Sequence, residues 1–231
     1  MQFILLFVLI IYILEIVNRK RLELSLRATI MRKEESEREL RSKLEYLALY
    51  DYLTALPNRT LFNNRAKEEI RQAKERCSLL AILFVDLNRF KNINNTFGHP
   101  MGDLILRSAA DRLKSCINDS DICSRISGDL FCVLLSNVED ESRVKAMAQK
   151  LKEAFNNPFI IKERELYISI SIGISVFLKD GQDVETLMKN ADIALNKSKE
   201  KGKNCYEFYD KAMEEMLPED LEAMLKEEKD I

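Results

Sequence analysis

Residues 127–131 read Ser-Gly-Asp-Leu-Phe and lie between two runs rich in apolar residues, at 121–126 and 131–135. Apolar and β-branched residues on both sides of a tight segment that contains glycine are typical of a β-hairpin. Such a hairpin holds Asp129 at its tip, where the carboxylate faces solvent or a ligand. The stretch therefore predicts two paired strands with an acid at their turn.

A second acid, Asp86, ends another strand-like run, Leu-Leu-Ala-Ile-Leu-Phe-Val at residues 79–85. Two carboxylates at the ends of neighbouring strands can hold a hard divalent cation against a phosphate. The pattern indicates a phosphate-directed metal site formed by Asp86 and Asp129. It leaves open whether that site performs chemistry.

The composition restricts the classes of partner that the chain can have. Its 231 residues have room for one full domain with appendages. The 36 Lys and Arg residues nearly balance the 38 Asp and Glu residues, so we expect no nucleic-acid partner. The cysteines show no C-x-x-C spacing and favour buried reduced thiols over disulfides or zinc. The single histidine, His99, cannot form a His-rich metal site.

The N-terminal stretch is apolar from residue 3 to residue 14, and the basic cluster Arg19-Lys20-Arg21 follows it. A signal peptide is one interpretation, but no basic region precedes the stretch and no small-residue cleavage site follows it. The positive-inside rule would keep the downstream chain cytoplasmic. We therefore predict a single-pass membrane anchor at residues 1–18, with the alternative that the sequence begins inside a longer protein.

Residues 19–49 are rich in charged residues and leucine and contain no glycine or proline, which predicts one long helix. Several of its apolar residues fit the a and d positions of a heptad frame that Lys33 and Glu37 interrupt, namely Leu26, Ile30, Leu40, Leu44 and Leu47. This pattern indicates a weak coiled coil. One interpretation is a solvated linker, and the other is a helix that pairs two protomers and passes on a signal.

Residues 50–210 have the composition of a folded domain. We predict helices over about 59–76, 90–97, 103–117, 142–155 and 184–201. Strands are predicted to end at Asp86, to flank the 127–131 turn, to lie within 165–178 and to form an edge at 206–209. Gly173, within the alternating 165–178 stretch, is interpreted as a β-bulge. Hairpin-connected strands mixed with helices favour an α+β layered domain over a doubly wound parallel sheet.

Four motifs, in order, resemble those of the GGDEF family, the diguanylate cyclase domains of bacterial signalling proteins. They are D-Y-L-T-A-L-P-N-R at 51–59, D-L-N-R-F-K-N-I-N-N-T-F-G-H-P-M-G-D at 86–103, S-G-D-L-F at 127–131 and A-D-I-A-L-N-K-S-K-E-K-G-K-N at 191–204. The resemblance implies a palm-like nucleotidyl-cyclase fold with a mainly antiparallel central sheet flanked by helices. It also implies a homodimer in which each domain binds GTP and Mg²⁺ and the two together make cyclic di-GMP. The predicted anchor would place this domain at the cytoplasmic side of the inner membrane.

The resemblance also implies roles for single residues. Asp86, Asp129 and the backbone carbonyl of Leu87 match metal ligands, and Asp129 is the remaining catalytic acid. The substrate-binding positions fall on Asn94 and Asp103 for the guanine edge, Lys199 and Lys203 for the triphosphate, and Lys91 as a further phosphate contact. Without the resemblance, Asp103 reads as a helix N-cap and the lysines as a solvated helix end.

The sequence departs from the family pattern where the chemistry is expected. Leu130 stands at the position of the second acid, and Ser127 replaces the first glycine. The product-inhibition motif R-x-x-D reads N-D-S-D at 118–121, so Asp121 remains but Asn118 lacks the guanidinium. Asn88 and Asn196 also differ from the family residues.

Three hypotheses follow from these departures. The first is a degenerate domain that binds GTP or a partner and relays a signal with little or no synthesis. The second is a working cyclase for which Asp86 and Asp129 suffice, and the third is a structural dimerisation module. Residues 211–231 resemble the connector that precedes an EAL domain in many relatives, so an EAL domain or a separate phosphodiesterase is an expected partner.

Overall fold

A computed structural model describes residues 2–76 and 78–216, with the backbone alone for residues 2–11, 25, 28 and 214–216. The helices are α1 (Gln2–Leu49), α2 (Arg59–Arg76), α3 (Phe90–Phe97), α4 (His99–Cys116), α5 (Glu141–Ala154) and α6 (Val184–Glu200). The strands are β1 (Leu79–Leu87), β2 (Ile122–Ser127), β3 (Leu130–Val138), β4 (Phe159–Ile161), β5 (Arg164–Leu166), β6 (Ile170–Val176) and β7 (Tyr206–Phe208). The elements form two compact units, one up to Ala48 and one from Leu49 onward.

Five strands form the central sheet, in the order β2-β3-β1-β6-β7. All neighbours are antiparallel except β6 and β7, and β4 and β5 form a separate two-stranded sheet. The hairpin predicted around residues 127–131 is the β2–β3 pair, which lies on one side of the central strand β1. The predicted α+β fold, mainly antiparallel with flanking helices and a long helix before it, is confirmed.

Alternation along the strands gives the sheet two buried faces, because successive side chains of a strand point to opposite sides. Residues such as Leu83 and Val85 pack with α4 and α5, whereas Ile82 and Phe84 pack with α2 and α6. Asp86 continues the second series at the end of β1. Its side chain therefore belongs to the face that α2 and α6 cover.

The second face requires a glycine at position 173, where α6 crosses β6. A Cβ atom there would overlap the backbone of Ala191 and Leu195. The register between β1 and β6 is continuous through this position, so the predicted bulge is wrong. The glycine serves the close approach of a helix and a strand.

Helix α4 begins at His99, four residues before the predicted start at Asp103. Pro100 lies in the first turn, where the missing N–H has no intrahelical partner to lose. Gly98, at φ 81°, separates α3 from α4 and takes the N-cap position. Asp103 is consequently not an N-cap but an exposed residue in the second turn of α4.

The prediction of a membrane anchor at residues 1–18, and with it a single-pass location in the inner membrane, is wrong. No helix among the described residues is both long and apolar enough to cross a bilayer. The apolar run is shorter than the roughly 20 residues that a span needs. Helix α1 continues beyond it through Glu15 and the basic cluster into a charged stretch.

The heptad residues of α1 are exposed within their own unit, for example Leu26 at 58% and Leu44 at 59%. Pairing of two protomers through residues 19–49 stays a prediction. Residues Lys211–Met216 form a 3-10 helix. The rest of the predicted connector, 217–231, lies outside the described residues.

Candidate functional site

Asp86 lies opposite Leu130 of β3 and Ser171 of β6. Directly opposed residues of an antiparallel pair project from the same face, with Cβ atoms about 4.5–5.5 Å apart. The side chain of Leu130 is half-buried against the apolar cluster under α2 and α6. Position 130 is therefore where a second carboxylate would meet Asp86, and a leucine occupies it.

The C-terminal turn of α6 brings a cation to Asp86. The ammonium of Lys199 lies 2.7 Å from Oδ2 of Asp86. Burial is the main reason that the pKa of Asp86 is raised, and the charge of Asp129 raises it further, while Lys199 and Lys203 act in the opposite direction. The structure thus brings together four of the predicted site residues, two acids and two lysines.

The tip of the hairpin is held by a pair of residues that the sequence analysis did not assign. Arg125 donates from Nη1 to both carboxylate oxygens of Asp51, at 3.0 and 3.1 Å, and from Nε to the carbonyl oxygen of Gly128 at 2.8 Å. Thr54 donates to the same carboxylate through its backbone and its hydroxyl. Arg125 is therefore a positioning residue that ties the turn to the segment after α1.

The pKa of Asp51 shows that this pair stabilises the fold. Burial alone would raise it, but the hydrogen bonds from Thr54 and Arg125 and the charge of Arg125 hold it below its ordinary value of 3.8. Because a lowered pKa favours the folded state only when the group is ionised there, this stabilisation is present above pH 3.8. It is lost as the pH falls through the lower folded-state pKa.

Arg125→Lys should therefore lower the free energy of unfolding by about 1–2 kcal/mol at neutral pH, because lysine lacks the planar guanidinium that grips both Asp51 oxygens and the Gly128 carbonyl at once. Urea denaturation measures this loss. The difference in the free energy of unfolding between the parent and Asp51→Asn should become smaller when the pH is lowered below 3.8. Arg71→Lys, in an exposed helical ion pair with Glu68, is the control and should change little. Equal losses for both lysine variants would contradict the assignment.

The residues assigned to the guanine edge lie on α3 and α4. Oδ1 of Asn94 is buried and has no hydrogen-bond partner among the described residues. Gly102 packs directly on it, since a Cβ atom at Gly102 would overlap Oδ1. Asp103 follows Gly102 and is exposed. Lys91 is exposed on α3, and no described contact joins it to the four charges at Asp86.

The Mg²⁺ that the resemblance implies can be tested against this donor set. Asp86 is already paired with Lys199 and Leu130 offers no oxygen, which leaves Asp129 and the backbone carbonyl of Leu87 among the predicted ligands. Asn88, the other departure on this loop, bonds to Ser169 and Ser171 instead. The described residues contain no group of three acidic, Cys or His side chains placed to hold a metal. The donor set does not fit a divalent cation held by the protein alone.

The remnant of the inhibitory motif has a structural explanation. The carboxylate of Asp121 is buried and accepts hydrogen bonds from the backbone N–H groups of Asn118 and Ser136 and from the guanidinium of Arg143. The side chain of Asn118 is exposed. These contacts occupy Asp121 within the protein, so its presence alone does not indicate a second ligand site.

The sequence was compared with protein families and with curated proteins, and it matches a known family. The family model "Diguanylate cyclase, GGDEF domain" matches residues 48–205. The bifunctional diguanylate cyclase/cyclic di-GMP phosphodiesterase MucR of Pseudomonas aeruginosa is 38% identical over 182 residues, which cover 79% of this chain and 26% of MucR. The cyclic di-GMP phosphodiesterase NbdA of the same organism is 36% identical over 74% of this chain and 22% of NbdA. The chain thus spans about a quarter of the length of these curated relatives.

Solved structures agree with the family model. The GGDEF domain of TpbB (YfiN) from Pseudomonas aeruginosa has a TM-score of 0.71 at 29% identity, covering 72% of this chain and 98% of that domain. A sensory box/GGDEF family protein from Caulobacter crescentus has a TM-score of 0.64 at 35% identity, over 66% of this chain and 99% of that one. The palm-like fold predicted from the motifs is confirmed, and the chain belongs to the GGDEF family.

Proposed function

We propose that this chain is a degenerate GGDEF domain that binds GTP and acts as a regulatory module, with little or no synthesis of cyclic di-GMP. GGDEF domains bind GTP and often act as dimers, and cyclases of the family generally use Mg²⁺. What distinguishes this chain is that the residues for recognition remain while one residue for chemistry is replaced.

The buried, unpaired Oδ1 of Asn94 is the observation that carries the proposal. A buried acceptor without a donor costs about 1–3 kcal/mol. The guanine edge carries N–H donors, so a bound base would satisfy this oxygen while the carboxylate of Asp103 accepts a second donor. In a domain that binds no nucleotide, the unsatisfied acceptor of Asn94 against Gly102 would only destabilise the fold.

The reason for weak chemistry is Leu130. An aliphatic side chain neither coordinates a cation nor accepts a proton, and it faces Asp86 directly. The remaining acid at the tip, Asp129, is half-buried and lies near enough to Asp86 to raise its pKa. Recognition without turnover is therefore the behaviour that this donor set supports.

Regulation requires a partner, and the relatives indicate which kind. MucR carries both activities in its name, and NbdA is named as a phosphodiesterase. We infer that a phosphodiesterase, in the same chain or in a separate one, responds to the nucleotide state of this domain. Dimerisation through α1 and this domain is part of the same proposal.

Calorimetric titration with GTP should detect binding to the purified chain, whereas mass spectrometry should detect no cyclic di-GMP after incubation with GTP and Mg²⁺. Asn94→Ala should weaken GTP binding about tenfold, as expected for one lost hydrogen bond to a buried base. Because the substitution also removes an unsatisfied acceptor, it should not lower the thermal midpoint of unfolding.

The matched control is Asn95→Ala, which changes the neighbouring exposed amide and should leave GTP affinity unchanged. Undetectable GTP binding would favour the structural module, and brisk product formation would favour the working cyclase. A parallel loss of stability and affinity in Asn94→Ala would remove the recognition role of that side chain.

A further inference from the structure

The site at the end of β1 already contains a cation, and that cation is part of the chain. Lys199 pairs with Asp86 at 2.7 Å, on the face of the sheet where Leu130 replaces an acid. An ammonium has three N–H donors. One donor suffices for Asp86, which leaves two that can point to phosphate oxygens.

Four charged groups that act on one another at Asp86 balance, and on the wall of the cavity beside Leu130 the acids Glu185 and Asp192 are outnumbered by Arg59, Lys67 and Lys189. Asp86 and Asp129 contribute two negative charges, and Lys199 and Lys203 contribute two positive charges. A triphosphate entering this site meets no net repulsion from the four groups. With an acid at position 130 the same site would carry a net negative charge, and a polyanion would then need an added cation.

The surroundings of Leu130 are unfavourable for a hydrated ion. Leu130 lines a cavity of about 510 Å³ whose wall is apolar around Leu130, with Phe84 and Ile126, and polar or charged elsewhere. Mg²⁺ gives up its water ligands reluctantly and takes oxygen ligands. Directly opposite Asp86, the Leu130 side chain offers carbon where an oxygen ligand would be needed.

We propose that this domain binds a nucleoside triphosphate without a divalent cation, with Lys199 bridging the Asp86 carboxylate and a phosphate as the resident cation. This inference rests on the proposed GTP binding. It makes nucleotide occupancy independent of Mg²⁺ and assigns that independence to Leu130 and Lys199.

Titrations of the full chain with GTP in EDTA and in excess MgCl₂ test the proposal. The two dissociation constants should agree within about threefold. A lost metal contact would instead separate them by about tenfold or more, which corresponds to about 1.4 kcal/mol. In EDTA, Lys199→Gln should weaken binding about tenfold or more, because a charge-assisted contact is lost, and Lys199→Arg should restore most of it. Lys201→Gln removes the same charge close by, from a lysine paired with Glu207, and is the control.

A substitution at position 130 should change the metal dependence itself. Leu130→Glu should bind GTP about tenfold or more weakly in EDTA than in MgCl₂, since the added charge repels the triphosphate unless a cation is present. Leu130→Gln has the same length without the charge and should keep the ratio near one. Circular dichroism and thermal unfolding confirm that each variant is folded.

The outcomes separate this inference from the proposed function. GTP binding by the parent in MgCl₂ alone overturns the inference and leaves GTP recognition standing. If GTP binds in neither buffer, the proposed function fails, and titration with inorganic triphosphate in EDTA decides the inference by itself. Triphosphate binding that Lys199→Gln abolishes would support the resident cation, and its absence in the parent would overturn it.

Discussion

Leu130→Glu should raise cyclic di-GMP output about 100-fold above the Leu130→Gln variant when both are incubated with GTP and Mg²⁺. The register places the new carboxylate opposite Asp86 on the same face of the sheet. The attraction between the new carboxylate and a cation about 4 Å away is about 4 kcal/mol at an effective dielectric of 20. Dehydration of the carboxylate and the side chain of Ser127, which stands in place of a glycine, offset part of this attraction. Roughly 2.7 kcal/mol then remains, which corresponds to a 100-fold change in rate.

Mass spectrometric quantification of the product over time provides the measurement. Leu130→Gln has nearly the same shape as the glutamate variant, so any difference between the two reports the charge. Similar output from both variants would show that the missing acid is not what limits synthesis. High output from the parent that rises little in Leu130→Glu would instead support the working cyclase.

Gly173→Ala should remove about 4 kcal/mol or more of the free energy of unfolding, a large share of the roughly 5–15 kcal/mol that an ordinary domain has. The added methyl group would overlap the backbone of Ala191 and Leu195. Neither β6 in the middle of the sheet nor α6 can shift without disturbing the core beneath it. Urea denaturation measures the loss, and failure to accumulate folded protein is its extreme form.

Gly128→Ala is the matched control, since it adds the same methyl group where no atom lies within 4 Å. Its φ of 49° is left-handed, so a cost of about 1–2 kcal/mol is expected from backbone strain alone. A loss at Gly173 no larger than the loss at Gly128 would contradict the role of close helix–strand packing. Both variants can be compared by far-UV circular dichroism under the same conditions.

Local patterns were sufficient for the elements whose period and caps are strong. The apolar run at 79–85 predicted the strand that ends near Asp86, and the glycine-containing turn at 127–131 predicted the β2–β3 hairpin. Tertiary context decided the remaining cases. From the sequence, Gly173 is interpreted as a β-bulge, but in the structure it allows helix α6 to pass close over strand β6. Pro100 reads as a breaker, yet the first helical turn accepts it.

For a similar reason, the sequence predicted some residues of the site and missed others. The resemblance supplied Asp86, Asp129, Lys199 and Lys203, and the structure brings these four together. It could not supply the contact between Asp51 and Arg125, because the two residues are 74 positions apart and neither lies in a pattern that names its partner. The apolar run at the N-terminus was overinterpreted, because hydrophobicity without sufficient length does not define a span.

The link from Asp51 to the hairpin has a mechanical consequence. Helix α1 ends at Leu49, two positions along the chain from the carboxylate that holds Arg125, and the guanidinium of Arg125 holds the carbonyl of Gly128. The tip of the hairpin is therefore tied to the segment around Asp51 by these side-chain contacts, and the backbone N–H of Arg125 adds a hydrogen bond to the carbonyl of Pro57. If GTP binds as proposed, immobilising the tip is expected to immobilise Asp51 and the chain beside it as well, without a completed reaction.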